Sequence, residues 1–131
     1  MIIPGIKGHS ETVVSENNTA LAAGSGTLRV FATPFMIALM ENAAYESIAP
    51  FLDESQSSVG TLMNVSHSAA TPIGMMVWAD SEVIAADGKK IVFRVTAYDK
   101  SGLIGSGTHE RYIISTERFL EKCRARTTNN R

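Results

Sequence analysis

Residues 33–50 read Thr-Pro-Phe-Met-Ile-Ala-Leu-Met-Glu-Asn-Ala-Ala-Tyr-Glu-Ser-Ile-Ala-Pro, and this stretch restricts the fold more than any other. It predicts a single helix. The Thr33 hydroxyl is suited to cap its start, because an oxygen there accepts from a first-turn amide that has no partner inside the helix. Pro34 fits the first turn, where no amide hydrogen is needed. Pro50 cannot continue the helix. Apolar residues run nearly all the way round, since Phe35, Met36, Ile37, Ala38, Leu39, Met40, Ala43, Ala44, Tyr45 and Ile48 leave no wide polar face. A helix of that kind is buried, so something must wrap around it. At about 16 residues with a polar second half, it is too short to span a membrane comfortably. Glu41 sits inside the apolar run, and burying a carboxylate without a partner is costly. Its position calls for a reason.

The rest of the chain supplies the wrapping. Residues 1–8 read as an irregular lead-in, and residues 9–15 as a first strand centred on Thr12, Val13 and Val14. Residues 19–32 predict a flexible or bulged connection into a short strand. After the helix, residues 57–68 alternate so that Val59, Thr61, Met63, Val65 and His67 share one face. Residues 75–86 and 89–98 are strands joined by Asp87-Gly88, a strong hairpin signal. Ile91, Phe93, Val95 and Ala97 share one face of the second of them. Residues 103–115 form a last strand. Residues 116–126 form a C-terminal helix capped by Thr116, with Phe119, Leu120 and Cys123 inward. Residues 127–131 read as a frayed tail.

One helix followed by a run of long antiparallel strands predicts an α+β fold, a curved sheet rolled around a central buried helix. At 131 residues the whole chain, 1–131, is expected to be a single domain. The open sheet edges need covering, and edge-to-edge pairing of two copies is the economical solution, so a homodimer is expected. A net charge of −1 gives no pull toward nucleic acid or an anionic membrane. Cys123 stands alone, which excludes an intrachain disulfide and a multi-cysteine metal site. The start of the chain lacks the pattern of a secretion signal, so a cytoplasmic protein is expected. The histidines, His9, His67 and His109, have no zinc-hydrolase spacing, and no serine lies in a nucleophile elbow. No metal and no redox cofactor is expected.

Several residues together resemble a known family. Thr33-Pro34 opens the helix, Glu41 follows eight residues later, and Val59-Gly60-Thr61 leads to His67 within Asn64-Val65-Ser66-His67-Ser68-Ala69-Ala70-Thr71-Pro72-Ile73-Gly74. This is similar to the fluoroacetyl-CoA thioesterase-like family of hotdog-fold proteins, over roughly residues 8–120. The resemblance implies Thr33, Glu41 and His67 as the catalytic set, with Gly60 close to the acyl group. The Gly107-Thr108-His109-Glu110-Arg111 segment also resembles the family's last strand. The fluoroacetate-specialised member is known for phenylalanines that close over the acyl group. Residues 16–29 here contain no aromatic residue.

The chemistry fits thioester hydrolysis, which needs an activated oxygen, a proton shuttle and donors for the developing oxyanion. Glu41 can attack a carbonyl or act as a base, His67 can move the proton, and helix amides behind Pro34 can face an oxyanion. Pro34, Phe35 and Gly60 are expected to line the substrate, and Arg111 to meet CoA phosphates. Each has a plainer explanation: Thr33 as a cap, His67 as a hydrogen-bonded core residue, Gly60 as a bulge. Eight helical residues separate Thr33 from Glu41 by about 12 Å along the axis. Either His67 or the thioester is expected between them, or one group comes from a second subunit. The reading is therefore a homodimeric acyl-CoA thioesterase for a small acyl group, with coenzyme A entering as part of the substrate. The alternatives are a hotdog enoyl-CoA hydratase and a non-catalytic acyl-CoA binding module.

Overall fold

The computed structural model describes residues 1–129, with side chains through residue 127. Its strands are β1 (Lys7–Val13), β2 (Gln56–His67), β3 (Met76–Asp87), β4 (Lys90–Asp99) and β5 (Gly102–Ser115). Its helices are α1 (Ala20–Ala23), α2 (Thr33–Ile48) and α3 (Thr116–Asn129). All strand pairs are antiparallel, in the order β1–β3–β4–β5–β2. The sheet wraps around one side of α2, which packs on all five strands and most closely on β1 and β3. This is the α+β arrangement expected. Among the described residues, no helix is long and apolar enough to cross a membrane.

Alternation builds the core. Val77, Ala79 and Val83 of β3 and Ile91, Phe93, Val95 and Ala97 of β4 are buried, and Arg94 between them is exposed. The register sets Phe93 beside Val83 and Ala97 beside Ala79. Met36, Met40, Ala43, Ala44 and Ile48 of α2 close this layer from above. Full burial of a large aliphatic or aromatic side chain contributes about 1.5–3 kcal/mol. The α2–sheet layer therefore carries most of the fold's stability.

Several expectations need correction. First, α2 is not buried all round: Thr33, Pro34, Phe35, Ala38 and Tyr45 are exposed, and Glu41 is half-buried. The sheet covers one side of the helix and ends at β2, whose outer edge pairs with no strand among the described residues. An open band, Pro34, Ala38, Glu41 and Tyr45, follows helical spacing on the uncovered side. Second, Thr33 is not the cap. Ala32 takes that position without a side-chain hydrogen bond, and its carbonyl accepts from the amides of Phe35 and Met36 at 3.1 and 2.9 Å.

Third, residues 19–32 form no strand, only two isolated bridges, Thr19 to Phe31 and Val30 to Pro72. Ser15 and Thr19 instead cap successive short helical turns, the second of them α1, and Gly24 ends it. Fourth, Phe119, Leu120 and Cys123 of α3 are exposed, because α3 leaves the end of β5 with little of the sheet to pack on. Of the expected tail, residues 127–129 continue α3, and 130–131 lie outside the described residues. The first strand begins at Lys7 rather than residue 9.

Candidate active site

Two clusters of functional side chains lie at opposite ends of β2. The first joins the start of α2 to the end of β2. Thr33 Oγ1 and His67 Nδ1 are 2.7 Å apart. The contact exists because Thr33 is the first helical residue and its hydroxyl is not spent on capping. His67 is held from the other side by the loop that follows β2. The Ser68 amide donates to the Ile104 carbonyl at 2.7 Å, and the Thr71 hydroxyl donates to the buried Asp99 carboxylate at 2.7 Å. The Phe31 amide in turn donates to the Thr71 carbonyl at 2.9 Å, which ties the segment before α2 to the same loop.

Thr33 and His67 face a cleft of about 340 Å³, walled by Ala20, Ser25, Val30, Phe31 and residues 68–70. His67 Nε2 is buried and has no hydrogen-bond partner among the described residues. Burial pushes the His67 imidazole below its usual pKa, opposed by the backbone of Ala69. The ring is therefore neutral at neutral pH. If the Thr33 hydroxyl donates to Nδ1, the ring hydrogen sits on Nε2, where a buried N–H without an acceptor is costly.

The second cluster surrounds Glu41. Arg111 Nη1 lies 3.7 Å from Glu41 Oε2. The guanidinium is buried: Nε donates to Ser58 Oγ at 2.8 Å, Nη2 to the Ser58 carbonyl at 3.0 Å, and Nη1 to His109 Nε2 at 3.1 Å. Tyr45 of α2 lies under it, 5.7 Å from guanidinium carbon to ring centre. Each nitrogen of the Arg111 guanidinium thus has a hydrogen-bond partner within the chain, and the group is buried rather than open to a phosphate. Its charge is directed at Glu41 instead. Glu41 also departs from expectation, because its side chain is 41% exposed at the mouth beyond β2 and not enclosed in the core.

Gly60 belongs to this second cluster through a β-bulge. The pairing of β2 with β5 shifts between Gly60, opposite Arg111, and Leu62, opposite Glu110. Thr61 is the extra residue, and its hydroxyl donates to the Glu110 carbonyl at 3.2 Å. The inserted residue reverses the alternation, so Gly60 shares the helix-facing side with Met63, Val65 and His67. Val59, expected on that side, is not. A Cβ at Gly60 would stand 2.6 Å from Glu41 Oε2 and 3.2 Å from His109 Cε1. Only glycine leaves the carboxylate where it is.

Of the residues read from the sequence, Thr33 and His67 meet in one cluster and Glu41, Gly60 and Arg111 in the other. Pro34 and Phe35 are exposed at the start of α2 and do not wall the cleft. The amide of Phe35 is taken by Ala32, so it does not face an oxyanion. Sequence reasoning missed Phe31, Ser58, Tyr45 and the buried contacts of His109. Phe31 does stand two residues before Thr33, but nothing local marks it as a wall. Gly60 and His67 are seven residues apart on β2, about 20 Å along a strand. Glu41 and the Thr33–His67 pair therefore do not touch within one chain.

A family model described as fluoroacetyl-CoA-specific thioesterase matches residues 14–117. The fluoroacetyl-CoA thioesterase of Streptantibioticus cattleyicolor is 45% identical over 98 residues, covering 75% of this chain and 70% of that protein. A solved structure of the fluoroacetyl-CoA thioesterase FlK shares 36% identity at a TM-score of 0.91, covering 95% of this chain and 97% of that one. A thioesterase superfamily member from Thermus thermophilus shares 30% identity at a TM-score of 0.87, covering 98% of each chain.

Proposed function

Since the chain belongs to the fluoroacetyl-CoA-specific thioesterase family, we propose that it hydrolyses a small acyl-CoA at a site shared between two copies of the chain. Thioester hydrolysis is the coarse activity, and the family membership carries it. The shared site is the finer step. The observation behind it is the buried, unpartnered Nε2 of His67, which lacks an acceptor, set against a Glu41 carboxylate that opens beyond the bare edge of β2.

Antiparallel pairing of two β2 edges resolves both. With a two-fold axis near Met63 and Asn64, His67 of one copy comes opposite Gly60 of the other. The bulge at Thr61 supports this register, because it puts Gly60 and His67 on the same side of the sheet. Each dimer then holds two sites. In each, Thr33 and His67 come from one copy and Glu41, Gly60 and Arg111 from the other. The open band of α2 and the exposed edge of β2 are covered in the same step.

The roles follow from the hydrogen bonds. Neutral His67 takes the hydrogen from the attacking oxygen, that of Thr33 or of a water held beside it, and returns it to the departing CoA sulfur; where Thr33 attacks, water activated by the same imidazole then cleaves the acyl-threonine ester, the acid leaves and the hydrogen returns to Thr33. Glu41 of the second copy accepts from Nε2 and steadies the imidazolium. Residues 16–29 and the loop after β2 wall the cleft with Ala20, Ser25 and Ala69, all small. With no aromatic side chain in that segment, the cleft has no lid specialised for fluoroacetyl, and short linear and branched acyl groups are the substrates to test.

The experiment is a free-thiol release assay over a panel of short acyl-CoAs, with Glu41→Gln and His67→Ala prepared separately and then mixed under subunit exchange. Each variant alone is expected to be inactive. The mixture is expected to recover up to about a quarter of wild-type turnover, because half the dimers are mixed and each mixed dimer keeps one intact site. No recovery despite proven exchange sinks the shared site, and binding of acyl-CoA without thiol release by the wild type sinks hydrolysis.

A further inference from the structure

His109 is a fully buried histidine on β5 for which the reaction just described has no use. Its ring stacks on Phe93 of β4, with centroids 5.9 Å apart. Its two nitrogens have fixed and different tasks. Nδ1 lies 2.8 Å from the Leu62 carbonyl, which only accepts, so Nδ1 carries the hydrogen. Nε2 lies 3.1 Å from Arg111 Nη1, which only donates, so Nε2 offers a lone pair. The neighbours alone therefore decide the tautomer. Leu62 closes the β2 bulge, and Arg111 faces Glu41.

The geometry points to His109 as a positioning residue for Glu41. It aims the Arg111 guanidinium at the carboxylate through Nε2, and the Nδ1–H bond to the Leu62 carbonyl serves to fix the tautomer that leaves Nε2 as the acceptor. The inference rests on the reading that Glu41 serves the reaction. A neutral acceptor is what this place requires. A cation at 109 would put a donor against the donor of Arg111 and push the guanidinium off Glu41. Ser58 holds the other side of the guanidinium through Nε and Nη2, so His109 fixes the one nitrogen that faces Glu41. The charged groups around the ring are Arg111 and Glu110 from β5 and Glu41 from α2. Burial, more than any of these, keeps the imidazole uncharged.

Two near-isosteric substitutions separate the two nitrogens. An amide oxygen at the end of glutamine occupies the place of Nε2 and still accepts from Arg111. The amide nitrogen of asparagine occupies the place of Nδ1 and still donates to Leu62, but nothing accepts from Arg111. His109→Gln is expected to keep kcat within about threefold of wild type. His109→Asn is expected to lose roughly tenfold or more in kcat with KM little changed, as for a group felt mainly in the transition state. A scaffold role limited to the bulge predicts the reverse order. Equal losses, or the larger loss in His109→Gln, overturn the proposal.

Both variants are measured beside Glu41→Gln, with thermal unfolding as the check on folding. If Glu41→Gln hydrolyses at the wild-type rate, the reading of Glu41 fails first. If Glu41→Gln is inactive and His109→Asn is not impaired, the present proposal fails alone. Arg111→Lys gives the independent arm, and stands in if His109→Asn does not fold. It keeps a cation but gives up the fork, and its kcat is expected to fall roughly tenfold at constant KM. Wild-type kcat in Arg111→Lys overturns the chain of contacts. In the Arg111→Lys background, His109→Asn is expected to add no further loss, and additive losses also overturn it.

Discussion

Gly60 is the residue whose identity bears most directly on where Glu41 sits. Its missing Cβ leaves room for Glu41 Oε2, which would stand 2.6 Å from any added methyl group. The nearest atom is the far end of a flexible side chain, so Gly60→Ala moves the carboxylate without breaking the strand. Displacing a reacting group by about 1 Å costs on the order of a hundredfold in rate. Gly60→Ala is therefore expected to fold with a thermal midpoint near wild type and to lose most thiol release. A variant that keeps full turnover shows that Glu41 does not need this place. Thr33 and His67 were legible as a pair only through the motifs they belong to. The hydrogen bond between them depends on Ala32 serving as the cap, a one-residue shift that the Thr-Pro sequence does not reveal.

At the scale of elements, the strands and the central helix were legible because their signals are local. Ile91, Phe93, Val95 and Ala97 alternate without interruption, and Asp87-Gly88 marks the turn before them. The bulge in β2 was not legible, because an inserted Thr61 leaves the pattern of Val59, Met63 and Val65 readable with either phase. The partners of Arg111 were hidden too, since Ser58 is 53 residues away and only the β2–β5 pairing brings them together. The uncovered side of α2 has its own test. Ala38 is exposed within one chain, between Pro34 and Glu41 on the open band. Ala38→Arg leaves the helix propensity nearly unchanged, yet sets a charge where a second copy would dock. It is expected to sediment as a folded monomer and to lose at least about tenfold in turnover, as the shared site requires. A dimer with full activity contradicts that placement.

For the molecule as a whole, buried histidines set the response to acid. Burial lowers the pKa of both His67 and His109 below the ordinary histidine value of 6.5. Below pH 6.5 the unfolded chain binds protons at these sites that the folded chain does not, so their contribution to stability is complete above that pH and falls as the solution becomes more acidic. His9 runs the other way. Its hydrogen bonds to Asp80 and Glu11 raise its pKa, so its contribution is present below 6.5 and fades as pH rises. It lies in solvent, where such pairs are worth little. The urea midpoint is therefore expected to be lower at pH 5 than at pH 7, with a smaller difference in His109→Gln. Equal midpoints at the two pH values would falsify this balance. The bare outer edge of β2 has a last implication, for kinetics rather than for structure. If neither copy holds a complete set of groups, turnover per molecule depends on how many molecules have met. Specific activity then declines on dilution and recovers on concentration, and a chain newly released from synthesis stays inert until it finds its twin.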